Sequence, residues 1–190
     1  MEKINSLTGM TDLIETKADE NVLANKVFQT EKILKEIFTN YVMSEIRTPA
    51  LENTNLFKRS VGDTSDIVNK ELYTFSDKND KSITLRPEGT ASVMRSIIEK
   101  KLDGETHKLW YLGPMWRYER PQKGRYRQFN QAGIEILGYP EGAPEFEMIS
   151  LICELNRKLQ IRKPLIKINH LGDSNTCLLY TSDAADDLFR

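Results

Sequence analysis

RYERPQKGRYRQFNQ, residues 117–131, decides how the rest of the chain reads. Its basic side chains, Arg117, Arg120, Lys123, Arg125 and Arg127, surround a Pro-Gln-Lys-Gly turn, and Phe129 and Gln131 follow. Strand-like sequence flanks it on both sides, LWYLG (109–113) and IEILG (134–138). A hairpin between two strands holds its cations in a fixed array, which suits a polyphosphate, with Phe129 as a flat surface for a base. A basic patch alone reads as a solvated surface loop. Here the cations lie at strand ends beside Glu119, Gln131 and Glu135, and that favours a site.

Outward from the hairpin, residues 19–41 place Val22, Leu23, Val27, Leu34, Ile37, Phe38 and Tyr41 at three-to-four spacing, an amphipathic helix. SEIRTP (44–49) reads as a short strand that Pro49 ends or bends. LYTFSDKNDKSITLR (72–86) is a hairpin around Asp77-Lys78-Asn79-Asp80. Glu88 to Leu102 is helical, with Val93, Met94, Ile97 and Ile98 on one face. A second amphipathic helix spans 144–160 through Phe146, Ile149, Ile152, Cys153 and Leu159, and PLIKIN (164–169) is a further strand. Hairpins with helices between them predict an α+β domain, an antiparallel sheet flanked by helices. Regular strand-helix-strand units and a Gly-rich first turn, which a dinucleotide-binding fold needs, do not occur.

The bulk properties narrow the functional classes. Lys and Arg number 27 against 28 acids, so no global charge draws the chain to nucleic acid, and RNA affinity must come from a local patch. Mean hydropathy is −0.51, and no apolar run approaches the ~20 residues that span a bilayer. No membrane association is expected. The N-terminus MEKINSLTGMTD has no apolar core of the secretory kind, so the expected location is cytoplasmic. Cys153 and Cys177 make neither a disulfide framework nor a metal-ligand spacing, and Cys153, inside LICEL, is expected to be a small buried hydrophobe. His107 and His170 stand far apart, and no protein-held metal is predicted.

These segments carry a family resemblance. Arg117-Tyr118-Glu119, a loop and then Arg125-x-x-x-Phe129 resemble motif 2 of the class II aminoacyl-tRNA synthetases. GPMWRYERPQKGRYRQFNQAGIEILG (113–138) is similar to the histidyl-tRNA synthetase family in particular. SEIRTP, LFKRSVGDTSDIVNKELYTF (56–75) and TLRPEGTASV (84–93) agree in the same order, so the likeness runs from about Leu7 to about Asp173. It implies histidine–tRNA ligase chemistry: ATP-dependent activation of L-histidine, then transfer to tRNA(His). ATP would arrive as its Mg²⁺ complex. On the matching positions, Arg117 would hold the α-phosphate and the attacking carboxylate as the catalytic cation, Arg125 the γ-phosphate, and Glu119 the adenine amino group, with Phe129 stacking on the ring. Phe129 could equally be a core aromatic.

Glu88, Gly89 and Thr90 would begin the histidine pocket, although acid at a helix start is also common. Gln131 and Glu135 alternate in phase along one strand and would complete that pocket with Arg117. Arg86 either supports the pocket or forms a buried ion pair. Arg120, Lys123 and Arg127 either reach the acceptor end of tRNA or are solvated. The 19–41 helix and SEIRTP resemble motif 1, which implies a homodimer interface around Pro49. A plain core helix and strand is the other reading.

The match departs in places. Thr8 stands before Gly9-Met10 where the family has a basic residue, and Val42-Met43 replaces a Gly-aromatic pair. A second arginine-bearing histidine-recognition segment, motif 3 and an anticodon-binding domain are absent, so this polypeptide is expected to be inactive by itself. Residues 1–173 are read as the N-terminal part of the catalytic core with motifs 1 and 2. Residues 174–190 form an anomalous tail, artefactual or disordered, whose CLLYTSDAADDL resembles translated adapter sequence. The alternative function is the histidine-binding regulatory subunit of ATP phosphoribosyltransferase. That paralogue generally has an eroded motif 2, whereas here Arg117, Glu119, Arg125 and Phe129 are all present.

Overall fold

The structure, a computed structural model, describes residues 4–15, 22–62, 65, 67–120, 122–140, 142–161 and 165–167. In chain order the elements are α1 (Val22–Asn40), β1 (Ser44–Glu45), β2 (Leu51–Asn53), α2 (Thr54–Val61), a π-helical turn (Ile67–Glu71), β3 (Thr74–Ser76), β4 (Ser82–Leu85), α3 (Thr90–Glu99), β5 (His107–Trp116), β6 (Gln128–Leu137) and α4 (Ala143–Lys158). The chain divides into two units, Met1–Leu159 and Gln160–Arg190. In the second, Leu165, Ile166 and Lys167 are not in a strand, and the rest of the expected 164–169 strand lies outside the described residues. The expected boundary at 173 and the tail at 174–190 lie outside them too.

The first unit is α+β. β5 and β6 form a ten-pair antiparallel ladder from His107 opposite Leu137 to Trp116 opposite Gln128. Side chains alternate across a sheet, so this register sorts them. Trp110, Leu112, Ile134 and Ile136 pack with Leu34, Ile37 and Phe38 of α1 and Leu151 of α4. The Phe38 and Trp110 rings stack at 5.0 Å between centroids. Leu109, Tyr111, Met115, Phe129 and Leu137 face the other way and pack with Val93 and Ile97 of α3. The ladder is therefore the middle of three layers, and the face under α3 carries Gln131 and Glu135.

Three features depart from expectation. β1 joins β5 in parallel, so that sheet is mixed, while β2, β4 and β3 make a separate antiparallel sheet. The Thr84 hydroxyl on β4 bonds that of Thr54 at the start of α2 at 2.8 Å and that of Thr74 on β3 at 3.0 Å. On α4, Cys153, Phe146 and Ile152 are exposed, which corrects the expectation that Cys153 is buried. Leu151 and Leu155 face the core instead, and a Lys108–Glu147 ion pair at 2.7 Å from β5 to α4 fits that rotation. The spacing in this helix admits either stripe, and the contacts with β5 and β6 decide between them.

The end of α1 is backbone-strained. Val42 adopts φ 56 while Met43 N–H donates to the Phe38 carbonyl at 3.0 Å. This is the left-handed stop that glycine usually supplies. Two other ties matter below. Arg86 N–H donates to the Ala50 carbonyl and the Arg86 carbonyl accepts from Trp116 N–H, which binds the smaller sheet to the end of β5. Arg95 on α3 donates to buried Glu52 on β2, the shorter contact being 2.8 Å, and also meets Glu99.

Candidate active site

The β4–α3 connection, Arg86-Pro87-Glu88-Gly89, passes the end of β5 and starts α3 over the inner face of the ladder. Glu88 Oε2 accepts from Thr90 N–H at 2.6 Å and Oε1 from Ala91 N–H at 2.9 Å, so this carboxylate caps the helix. The helix-start reading of Glu88 therefore describes its contacts here. Each oxygen keeps a further lone pair that can face a ligand. Thr90 Oγ1 donates to Glu135 Oε1 at 2.7 Å, joining the helix start to β6.

Tyr111 holds this junction together, and sequence reading passed over it. A Cβ on Gly133 would come within 2.2 Å of its ring, and one on Gly89 within 2.3 Å. The ring is wedged between two backbones that only glycine lets so close. Burial raises the Tyr111 pKa, while a hydrogen bond with Thr90 lowers it and Glu135 and Glu88 raise it. Burial likewise pushes Glu135 above the ordinary carboxylate value, against the Thr90 hydrogen bond, and Glu88 adds to the rise. Gln131 shares the Glu135 face, and its Oε1 is buried with no hydrogen-bond partner among the described residues. A buried acceptor left open is costly unless a donor completes it.

The cations lie above this floor. Arg117 Nε donates to the Pro87 carbonyl at 2.9 Å, and its guanidinium carbon stands 5.1 Å from the Phe129 ring centroid. Phe129 is half-buried against the α3-side core, so it is partly the core aromatic that alternation allows. Arg125 rests on Glu119 at 3.2 Å and is itself exposed. Arg127 turns inward: Nε donates to the Glu119 carbonyl at 3.1 Å, and its guanidinium carbon lies 4.1 Å from the Tyr118 ring. Arg127 is thus partly engaged by its own hairpin, whereas Arg120 and Lys123 are exposed.

Among the described residues Arg86 makes no direct ion pair. It donates to the Pro114 carbonyl at 3.1 Å and to the carbonyl and hydroxyl of Thr48 at 2.7 and 3.0 Å. Burial lowers its pKa, and Glu52 and Tyr111 act in the opposite sense. Pro49 is exposed between β1 and β2, away from this constellation in the chain order. A cavity of about 410 Å³ lies on the α1 side, with Val27, Leu34, Leu112 and Ala132 in its wall, and neither Gln131 nor Glu135 lines it.

The structure thus brings together Glu88, Gly89, Thr90, Gln131 and Glu135 as one group and Arg117, Glu119, Arg125 and Phe129 as a second. The signal that could have found Tyr111 is weak: glycines at 89 and 133 around an aromatic strand residue.

Similarity to known proteins agrees with this geometry. A histidine–tRNA ligase of Geobacter sulfurreducens is 51% identical over 144 residues, covering 75% of this chain and 35% of that protein. The solved apo histidyl-tRNA synthetase of S. aureus superposes with a TM-score of 0.65 at 38% identity, over 82% of this chain and 35% of that one. A structure from Bacillus halodurans C described as an ATP phosphoribosyltransferase regulatory subunit/histidyl-tRNA synthetase gives 0.63 at 22% identity, over 86% and 40%, and shares the fold. The chain thus spans about a third of the length of the ligases it matches. The family model described as Histidyl-tRNA synthetase matches residues 20–178. The chain belongs to the histidyl-tRNA synthetase family.

Proposed function

We propose that this chain carries the ATP- and histidine-binding half of a cytoplasmic histidine–tRNA ligase site. The observation that carries the reading is the open, buried Oε1 of Gln131 in phase with the half-buried Glu135. An acceptor and a carboxylate on one floor suit a ligand that brings donors and positive charge. The α-ammonium and imidazole of histidine have both. A pocket built on such hydrogen bonds rejects side chains that would leave its own groups unpaired.

In the activation step a histidine carboxylate oxygen attacks the α-phosphorus of ATP, the bond to the β-phosphate oxygen breaks, and pyrophosphate leaves. Arg117 would stand between the two anions and offset their repulsion, already oriented by Pro87 and Phe129. Arg125 would leave Glu119 for the γ-phosphate, freeing Glu119 to accept from the adenine amino group. Phe129 would present its ring to the base. Mg²⁺ would enter with the phosphates as part of the substrate. Transfer to tRNA(His) completes the reaction, with Arg120 and Lys123 free to meet phosphate. A homodimer around Pro49 is the assembly this reading expects, checked by analytical ultracentrifugation.

Isothermal titration with MgATP and with L-histidine tests the site. Both should bind, Glu135→Gln should lose histidine alone, and Arg117→Ala should weaken both. Failure of MgATP to bind overturns the reading that this chain carries the ATP-binding half of the site. Binding of histidine without ATP is the result that the alternative, a regulatory subunit of ATP phosphoribosyltransferase, requires.

A further inference from the structure

The segment Leu7–Met10 lies far from the hairpin in sequence, yet the two are joined through the backbone. Met10 N–H donates to the Leu7 carbonyl at 3.0 Å and closes a tight turn. Within it Gly9 takes φ 80, and its carbonyl accepts from Arg127 N–H at 2.8 Å and from Gln128 N–H at 3.2 Å. The contact is too close for a side chain. A Cβ on Gly9 would stand 2.9 Å from Arg127 Cγ and 3.1 Å from its backbone nitrogen. Glycine is required here twice, for the conformation and for the space.

Arg127 passes this anchorage on. Its carbonyl accepts from Arg117 N–H at 3.0 Å. Its guanidinium holds the Glu119 carbonyl and covers the Tyr118 ring. Both backbone groups of Arg127 and its side chain are thus committed: one to the turn, the others to residues 117–119. Its Nε and one face of its guanidinium are turned to its own hairpin. It fixes where its neighbours stand.

We propose that the Leu7–Met10 turn is a positioning device for the ATP-binding residues, acting through Arg127 to set Arg117 and Glu119. Gly9 and Arg127 are positioning residues and touch no substrate. The proposal rests on the ATP reading above and adds the element that holds that site in register. A displacement of Arg117 by a fraction of an ångström matters because charge stabilisation depends on donors already in place.

The test uses the whole ¹⁵N-labelled chain, with amide exchange at single residues and MgATP titration on the same samples. Gly9→Ala should speed exchange at Arg127, Gln128 and Arg117 and leave the centre of the β5–β6 ladder protected. MgATP binding should weaken by about tenfold or more. L-Histidine binding should weaken less, since it shares Arg117 with ATP but also rests on Thr90, Gln131 and Glu135, which do not touch the turn. Arg127→Lys, which keeps the charge and the backbone but loses the planar fork, should weaken MgATP with little change in exchange at Gln128. The outcomes separate cleanly. Unchanged exchange in Gly9→Ala overturns the anchorage, and faster exchange with unchanged MgATP affinity overturns the positioning role. Equal loss of MgATP and histidine, with general loss of protection, assigns the turn to stability and also overturns it. Wild-type chain that shows the protection but binds no MgATP removes the functional reading, and the proposal falls with it.

Discussion

Replacing Val42 by glycine should stabilise this protein, against the usual direction of such a change. Val42 sits at φ 56, where an L-residue crowds its Cβ against the following carbonyl at a cost of about 1–2 kcal/mol, more for a β-branched side chain. The residue is 84% exposed, so removing its side chain forfeits almost no burial. Glycine returns about 0.4–1 kcal/mol through the greater freedom of the unfolded chain. The net gain is about 0.5–1 kcal/mol, or roughly 1–4 °C in Tm for a chain of this size. The hydrogen bonds at this stop, Val42 N–H to the Thr39 carbonyl and Met43 N–H to Phe38, are backbone bonds and survive the change. Urea denaturation followed by circular dichroism reads the shift as a higher midpoint at constant slope. Val42→Ala is the control: it keeps the Cβ and should recover only part of the gain. A less stable Val42→Gly, or an alanine variant that gains as much, would refute the assignment of strain to this backbone position.

Three further outcomes follow from the packing. Gly133→Ala should cost about 2 kcal/mol by overpacking, because its Cβ meets the Tyr111 ring at 2.2 Å and Gly89 backs the ring. Tyr111→Leu in that background should recover part of the loss in a double-mutant cycle. For Glu135, the folded pKa lies above the unfolded one. Its contribution to stability is therefore complete below the ordinary carboxylate range and is lost as pH rises through the raised value. Glu135→Gln should thus gain on the wild type in denaturation midpoint as pH rises from the ordinary carboxylate value through the raised one, and a difference independent of pH would contradict this. Arg95→Ala leaves the carboxylate of Glu52 buried and unpaired and should cost about 3 kcal/mol, while Glu52→Gln with Arg95→Met should restore most of it.

Alternation made the β5–β6 hairpin legible, and with it the shared face of Gln131 and Glu135, since period two is a local property. The 19–41 helix and the Asp77–Asp80 hairpin turn were legible for the same reason. β2 was not, because LEN between Pro49-Ala50 and a helix is too short to alternate. α2 hid too, since its eight residues bury Phe57 but show no long apolar stripe. Residue identity alone could not tell Arg127 from Arg125. Arg127 meets Glu119 O and Tyr118 within the hairpin and, through its backbone, Gly9 far away in sequence, whereas Arg125 is exposed against the Glu119 carboxylate. On α4, spacing names residues that share a face but not the surface that covers them, which is why Cys153 was misplaced.

The ten-pair ladder also predicts how this site can vary among descendants. Arg125, Glu119 and the turn between them lie beyond the last rung, Trp116 opposite Gln128. A codon gained or lost there lengthens or shortens the tip and leaves every rung below unchanged. A codon gained at Gln131 has a different effect. It sends each side chain from that point to the opposite face, placing Glu135 against α1 and an isoleucine in the pocket. Length variation should therefore collect at the tip, while residues 131–135 should accept substitutions but not insertions.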